Sequence, residues 1–259
     1  MTAIGDPGTI FDRGSGSAFR RPIVRLLLRP ELPSLVFLVV LVVVFSVTAQ
    51  GFLTGANVQQ IFEQVAILGI VALGLNQVIL AGEIDVSMGS LLAVCAATAA
   101  SVSNHVGGLV APLAVSLAIG GAAGLLNGLL VTKARIPSII VTLAGLYALR
   151  GAEQVLNAIG IDSVPPGVQG LGSGHILGLD SAVSVLVLCF VGVYLISRHT
   201  TWGREVSAVG GNRSAARMAG LRVDRVRLWA FVLVGLCVGL AAMVYIGEVG
   251  AVQSNAETG

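Results

Sequence analysis

Residues 34–50 read SLVFLVVLVVVFSVTAQ, a run without a single charged side chain. A helix needs about 20 predominantly apolar residues to cross a bilayer, and this run comes close to that length. Lipid offers no water to the backbone, so a spanning segment must be a helix or part of a closed barrel. Outward from this stretch, further apolar runs occupy about 61–80, 87–103, 109–132, 138–158, 181–197 and 228–247. None shows the alternating ~10-residue pattern of a barrel strand. The predicted fold class is all-α, a polytopic transmembrane helical bundle of about seven spans. Composition agrees, because only 11% of residues are charged and 55% are apolar, against roughly 25% charged in soluble domains.

The cations orient the bundle. Arg13, Arg20, Arg21, Arg25 and Arg29 precede the first run, and Lys133 and Arg135 follow the fourth. Arg198, Arg204, Arg213, Arg217, Arg222, Arg225 and Arg227 lie between the sixth and seventh. A cytoplasmic N-terminus places all of these inside, as the positive-inside rule requires. If 61–103 crossed once instead of twice, Lys133, Arg135 and the whole 198–227 group would fall outside. The domain expectation is a basic cytoplasmic tail over 1–33 and a transmembrane domain over 34–259. Residues 159–180, rich in Gly and Pro, are expected outside as a structured loop or short helix.

Polar groups at membrane depth are costly and usually face protein or water. The candidates for a polar pathway are Asn76, Gln77, Glu83, Asp85, Asn127, Arg150 and Glu153. Arg150 and Glu153 stand i,i+3 and can pair on one helix face. Asn76, Gln77 and Asn127 read equally as packing bridges between helices. Glu83 and Asp85 sit at a span junction. There Ser87 can cap the next helix, with Asp85 favouring its positive end. Gly120, Gly124 and Gly128 place a small residue on each turn of one face, which suits close helix packing, within the chain or against a second copy. Cys95, Cys189 and Cys237 lie in apolar runs without metal-ligand spacing and read as packing residues.

The segment 198–227 is the most distinctive. Asn212 can cap a short helix over 213–219, and Gly220 can close it. Ala215 and Ala216 are small enough for a partner to approach closely, and Arg213 and Arg217 can reach carboxylates on it. A basic loop resting on anionic lipid is the plain alternative.

Four stretches carry a family resemblance. Gly82–Ser90, GEIDVSMGS, resembles the GGIDLSVGS of ribose-type sugar ABC transporter permeases. Asn127–Leu143, NGLLVTKARIPSIIVTL, followed by Arg150 and Gly151, is similar to another motif of that family. Thr201–Gly220, TWGREVSAVGGNRSAARMAG, resembles its T-x-F-G-R-x-x-Y-A-I-G-G-N-x-x-A-A-R-L-S-G. Ser214, Ala215, Ala216 and Gly220 also fit the broader EAA loop of importer permeases, with Ser in place of Glu. Glu83 stands where that family has Gly, Trp202 where Phe is usual, and Ser207 where Tyr is usual. Members continue past the Ser254–Gly259 region with further helices, so the chain reads as C-terminally truncated relative to them.

The resemblance implies a permease subunit of a bacterial importer in the cytoplasmic (inner) membrane. Its implied partners are an ABC ATPase subunit, an extracytoplasmic sugar-binding protein, a second permease copy in a homodimer or heterodimer, and the lipid bilayer, with no nucleic acid. The implied coupling residues are Gly203, Arg204, Gly210, Gly211, Asn212, Ser214, Ala215, Ala216, Arg217 and Gly220. The sequence holds no G-x-x-x-x-G-K-[ST] motif, so ATP and Mg are expected in the partner, with no cofactor, metal or catalytic residue here. An ion-coupled secondary transporter using the carboxylates, and a non-transporting remnant, are the competing expectations.

Overall fold

The computed structural model describes residues 32–157, 164–176 and 178–256. The expected basic tail lies outside these residues, apart from Leu32 and Pro33, which open the first helix. The chain divides after Val58 into two compact units. The first holds α1 (Leu32–Thr48) and the start of α2 (Gly55–Leu80). Within it Asn57 Nδ2 donates to the Phe52 carbonyl at 2.7 Å.

The second unit contains the rest of α2, then α3 (Met88–Val106), α4 (Val110–Thr132) and α5 (Ser138–Asn157). A short helix α6 (Pro166–Gly172) follows, then an antiparallel pair of two-residue strands, β1 (His175–Ile176) and β2 (Leu179–Asp180). The unit ends with α7 (Ser181–His199), α8 (Thr201–Gly211), α9 (Arg213–Met218) and α10 (Val223–Ala256).

Among the described residues, α2, α4, α5, α7 and α10 are long and apolar enough to cross a membrane. The molecule is a polytopic helical membrane protein. Two of the expected seven spans fall short of that standard. α1 has 17 residues. α3 is long enough, but Ser101, Ser103, Asn104 and His105 dilute its apolar run. The expected seventh span at 228–247 is the middle of a much longer helix, so α10 absorbs the end of the predicted loop 198–227.

Between Leu228 and Gly247, α10 has no charged side chain on any face, the pattern of a largely buried helix. More of it is buried than of any other spanning helix, with Phe231, Val238 and Met243 fully enclosed. Its closest neighbour is α4, and glycines explain the approach. A Cβ on Gly120 would collide with the Gly235 carbonyl, one on Gly124 with the Phe231 carbonyl, and one on Gly239 with the Ser116 carbonyl. The Ser116 hydroxyl donates to the Gly239 carbonyl at 2.7 Å across the same seam. The glycine stripe of α4 is thus taken up inside the chain, against α10. The outer faces of α2, α5 and α7 leave Leu68, Ile140 and Leu188 exposed, as lipid-facing helices do.

Candidate functional site

The junction between α2 and α3, residues 81–87, carries the GEIDVS motif, and five other elements, α4, α5, α8, α9 and α10, close around it. The Ile84 amide donates to Ser138 Oγ at 3.2 Å, and Thr142 Oγ1 donates to the Ile84 carbonyl at 3.4 Å, both from α5. From α4, Asn127 Nδ2 donates to Ser87 Oγ at 3.3 Å. Gly145 of α5 faces both Ser87 and Asn127. At the end of α8, Gly210 lies against the Leu80 carbonyl, leaving no room for a side chain.

Asp85 is buried, and its Oδ1 accepts from the Ser87 amide at 2.9 Å and the Ser87 hydroxyl at 2.6 Å. Ser87 does not cap α3 with its side chain, because its backbone is already helical, at φ −81° and ψ −8°, and not in the extended conformation a capping residue adopts. A continuous run Asn127–Ser87–Asp85 results. Burial pushes the Asp85 carboxyl up from its ordinary value, and the two Ser87 hydrogen bonds pull it partway back. Removing the charge while keeping an oxygen acceptor should therefore be mild. On the permease expectation, Asp85→Asn should keep most of the uptake, within about threefold. Asp85→Leu, which strands the Ser87 donors at about 1–3 kcal/mol, should lose tenfold or more. Initial uptake rates in matched vesicles check this ordering, and equal losses would contradict it.

Glu83, with a side chain only 3% exposed, sits between two guanidinium groups. Arg213 Nη2 and Arg227 Nε each donate to its Oε1 at 2.6 Å, and Arg213 Nη2 also donates to the Gly82 carbonyl at 2.5 Å. Arg227 continues to Asp224 at 3.7 Å, and Asp224 to Arg217 at 3.6 Å.

The segment after α7 begins with Thr200, which caps α8 by accepting from the Gly203 amide at 3.2 Å. Gly203 packs against the Ser197 carbonyl, where a Cβ would not fit. Asn212 caps α9, its Oδ1 accepting from the Ala215 amide at 3.0 Å. Gly220 has φ +81°, the left-handed conformation that glycine adopts without penalty. On α9, Ser214, Ala215 and Met218 are exposed, as are Arg204 and Gly211 nearby. Ala216 is instead buried against the bundle, and Arg213 and Arg217 are engaged within the chain. Ala216 and Arg213 therefore face the chain itself, whereas Arg217 stays exposed despite its ion pair.

The other pathway candidates are dispersed. Asn76 and Arg150 are exposed. Gln77 is buried, and its Oε1 has no hydrogen-bond partner among the described residues. Glu153 lines a cavity of about 250 Å³ between α3, α5 and α10, with Ala96, Ala97 and Tyr245. A larger cavity of about 660 Å³, beside Trp202, Arg225 and Trp229, belongs to neither group of polar residues.

Sequence reasoning missed Arg227 and Glu63. Arg227 falls on the buried stripe Val223, Val226, Ala230, Phe231 and Val234, at the i, i+3, i+4 spacing of one helix face. That position was its readable signal. Glu63, buried on α2, accepts from Gln59 Nε2 at 3.0 Å.

The family described as "Branched-chain amino acid transport system / permease component" matches residues 57–259. The chain is 34% identical to the ribose import permease protein RbsC of Escherichia coli (strain K12), over 88% of this chain and 73% of that protein. It is 35% identical to the L-arabinose ABC transporter permease protein AraH of Azospirillum brasilense, over 81% of this chain and 62% of that one. It is 34% identical to the autoinducer 2 import system permease protein LsrC of Enterobacter sp. (strain 638), over 90% and 68%. No solved structure matches the chain.

Proposed function

Because this chain belongs to the family of permease components of branched-chain amino acid transport systems, and is a membrane-spanning permease subunit of an ABC importer, we propose that its cargo is a small sugar and that a separate ATPase drives it through α9. The relatives named for ribose and arabinose import support the cargo class. The observation that carries the coupling is α9 itself. It is a single turn and a half, capped at both ends, and its outer side chains are exposed. A helix this short does not persist alone in water. Its inner face is held by Ala216 and Arg213, which leaves Ser214, Ala215, Arg217 and Met218 to meet the ATPase.

The polar run Asn127–Ser87–Asp85 then lines the cytoplasmic end of the pathway. The cavity beside Glu153 lies along the route toward the outer face. A cavity of about 250 Å³ suits one monosaccharide. Glu83 is buried and its Oε1 accepts from two arginines, so it shapes the site and is not a free ion carrier. ATP and Mg bind the partner ATPase, a binding protein delivers sugar to the outer face, and a second permease copy completes the pathway. The full arrangement has seven crossings from a cytoplasmic tail over 1–33, within 34–259, in the bacterial inner membrane.

The grouping of contacts supports this topology. Gly82, Glu83, Ser138, Arg213 and Arg227 gather at one end of the bundle. Gly172 meets Gly247, and Gly167 faces Gly108, at the other. In a background lacking Cys95, Cys189 and Cys237, Val106→Cys should react with an impermeant thiol reagent in intact cells. Ser207→Cys should react only after permeabilisation. Labelling of Ser207→Cys in intact cells would overturn the orientation.

A further inference from the structure

Glu83 stands where the resembling motif carries glycine, and burying a carboxylate there demands an explanation. A buried charge is tolerated when it is paired and hydrogen-bonded. Here both arginines that pair it come from the segment that follows α8. Arg213 is the first residue of α9, and Arg227 lies on the first turns of α10. Arg213 also holds the Gly82 carbonyl. The attachment of α9 to the bundle is otherwise slight, through buried Ala216 and the exposed pair Arg217–Asp224.

We propose that Glu83 is a positioning residue, a clasp that makes α9 and the Gly82–Ser87 loop move as one piece. This deepens the importer reading and rests on it for its role in transport. The geometry supplies the route. A displacement of α9 pulls Arg213, and Arg213 pulls the Gly82 carbonyl and the Glu83 carboxylate. Two residues further on, Asp85 is fixed by its bonds to Ser87, and Ser87 by Asn127 of α4. Arg227 ties the same carboxylate oxygen to α10, so the clasp has a fixed jaw on the central helix and a moving jaw on α9. A glycine at position 83 would leave Arg213 only the Gly82 carbonyl, and would leave buried Arg227 without its closest partner. If α9 lifts away, the half-exposed Arg213 can be rehydrated, but buried Glu83 keeps only Arg227, so release costs the carboxylate one of its two partners.

The test compares wild type, Glu83→Gln and Glu83→Asp. In the detergent-purified chain, amide hydrogen exchange reads the link without any partner. Glu83→Gln should speed exchange at 82–87 and 213–219 together by at least tenfold, while α4 and the middle of α10 stay protected. Glu83→Asp, which keeps the charge on a shorter arm, should fall between. In vesicles with the cognate ATPase and binding protein, tested with ribose and arabinose, Glu83→Gln should still capture the ATPase within about twofold. Sugar moved per ATP hydrolysed should drop at least tenfold, with partial recovery in Glu83→Asp. Unchanged exchange in Glu83→Gln would overturn the clasp. So would a uniform rise across α4 and α10, which marks general loosening. A wild-type chain that neither captures an ATPase nor takes up sugar would count against the importer reading, and exchange alone would then decide the clasp.

Discussion

Gly120→Leu and Gly235→Leu are each expected to abolish recovery of folded protein from the membrane. The two residues face each other across α4 and α10, and an added Cβ on either meets the other's carbonyl. The obstacle is backbone, so no side chain can rotate away, and the helices must separate along the whole seam. Separation would break the Ser116–Gly239 hydrogen bond and unpack Phe231, which is fully buried. Overpacking a close-packed core typically costs about 1–3 kcal/mol, and more when the backbone must shift. That is a large share of the ~5–15 kcal/mol by which folded proteins are stable. Gly120→Ala should already lower the thermal midpoint. Gly151→Ala, where an added Cβ meets nothing within 4 Å, should leave it unchanged or slightly raised. Yield of monodisperse protein and its melting midpoint in one detergent give the comparison. Equal behaviour of Gly120→Leu and Gly151→Ala would show that the seam is not where the bundle is held.

The second large effect concerns α9. Gly220→Val puts a β-branched residue at φ +81°, where such a residue is a clear outlier. The strain is roughly 1–2 kcal/mol from the left-handed conformation alone. Space is not the problem, since nothing lies within 4 Å of an added Cβ. The relief is for the chain to leave the turn, which releases the end of α9. Ala216→Asp acts on the inner face. Ala216 is 5% exposed, so an aspartate there must be buried without a partner or lift α9 off the bundle. Both variants should insert and melt like wild type, because the seam of α4 and α10 is untouched. Both should lose at least tenfold in capture of the ATPase subunit. Met218→Asp, on a side chain that is 85% exposed, tests the outer face directly and should lower capture without changing α9.

Much of this organisation was legible in the sequence. Asn212 and Gly220 marked both ends of α9, because capping and left-handed closure are local requirements that one residue can satisfy. The glycine spacing at 120, 124 and 128 marked a seam, although its partner could not be read from α4 alone. Tertiary placement was less legible. Arg213 and Arg217 look like free cations along the chain, and only the fold brings Glu83 and Asp224 to them, Glu83 from 130 residues away. Ser87 reads as a helix cap, but its own backbone is already helical, and its hydroxyl links the Asp85 carboxylate to Asn127. Asn76 and Gln77 are neighbours in sequence, and the helix turns one outward and one inward. Helix α3 kept its place in the order despite a polar end, because its apolar residues Leu91, Val94 and Cys95 face the core.

The proposed mechanism has ATP hydrolysis in a partner driving sugar through this chain by way of α9. The most direct measurement is sugar entry into sealed vesicles that hold the chain, its ATPase and its binding protein, with ATP supplied and the proton gradient collapsed. Uptake should require ATP, survive loss of the gradient and fall at least tenfold with Gly220→Val. Uptake that persists without ATP and stops when the gradient is removed would contradict it.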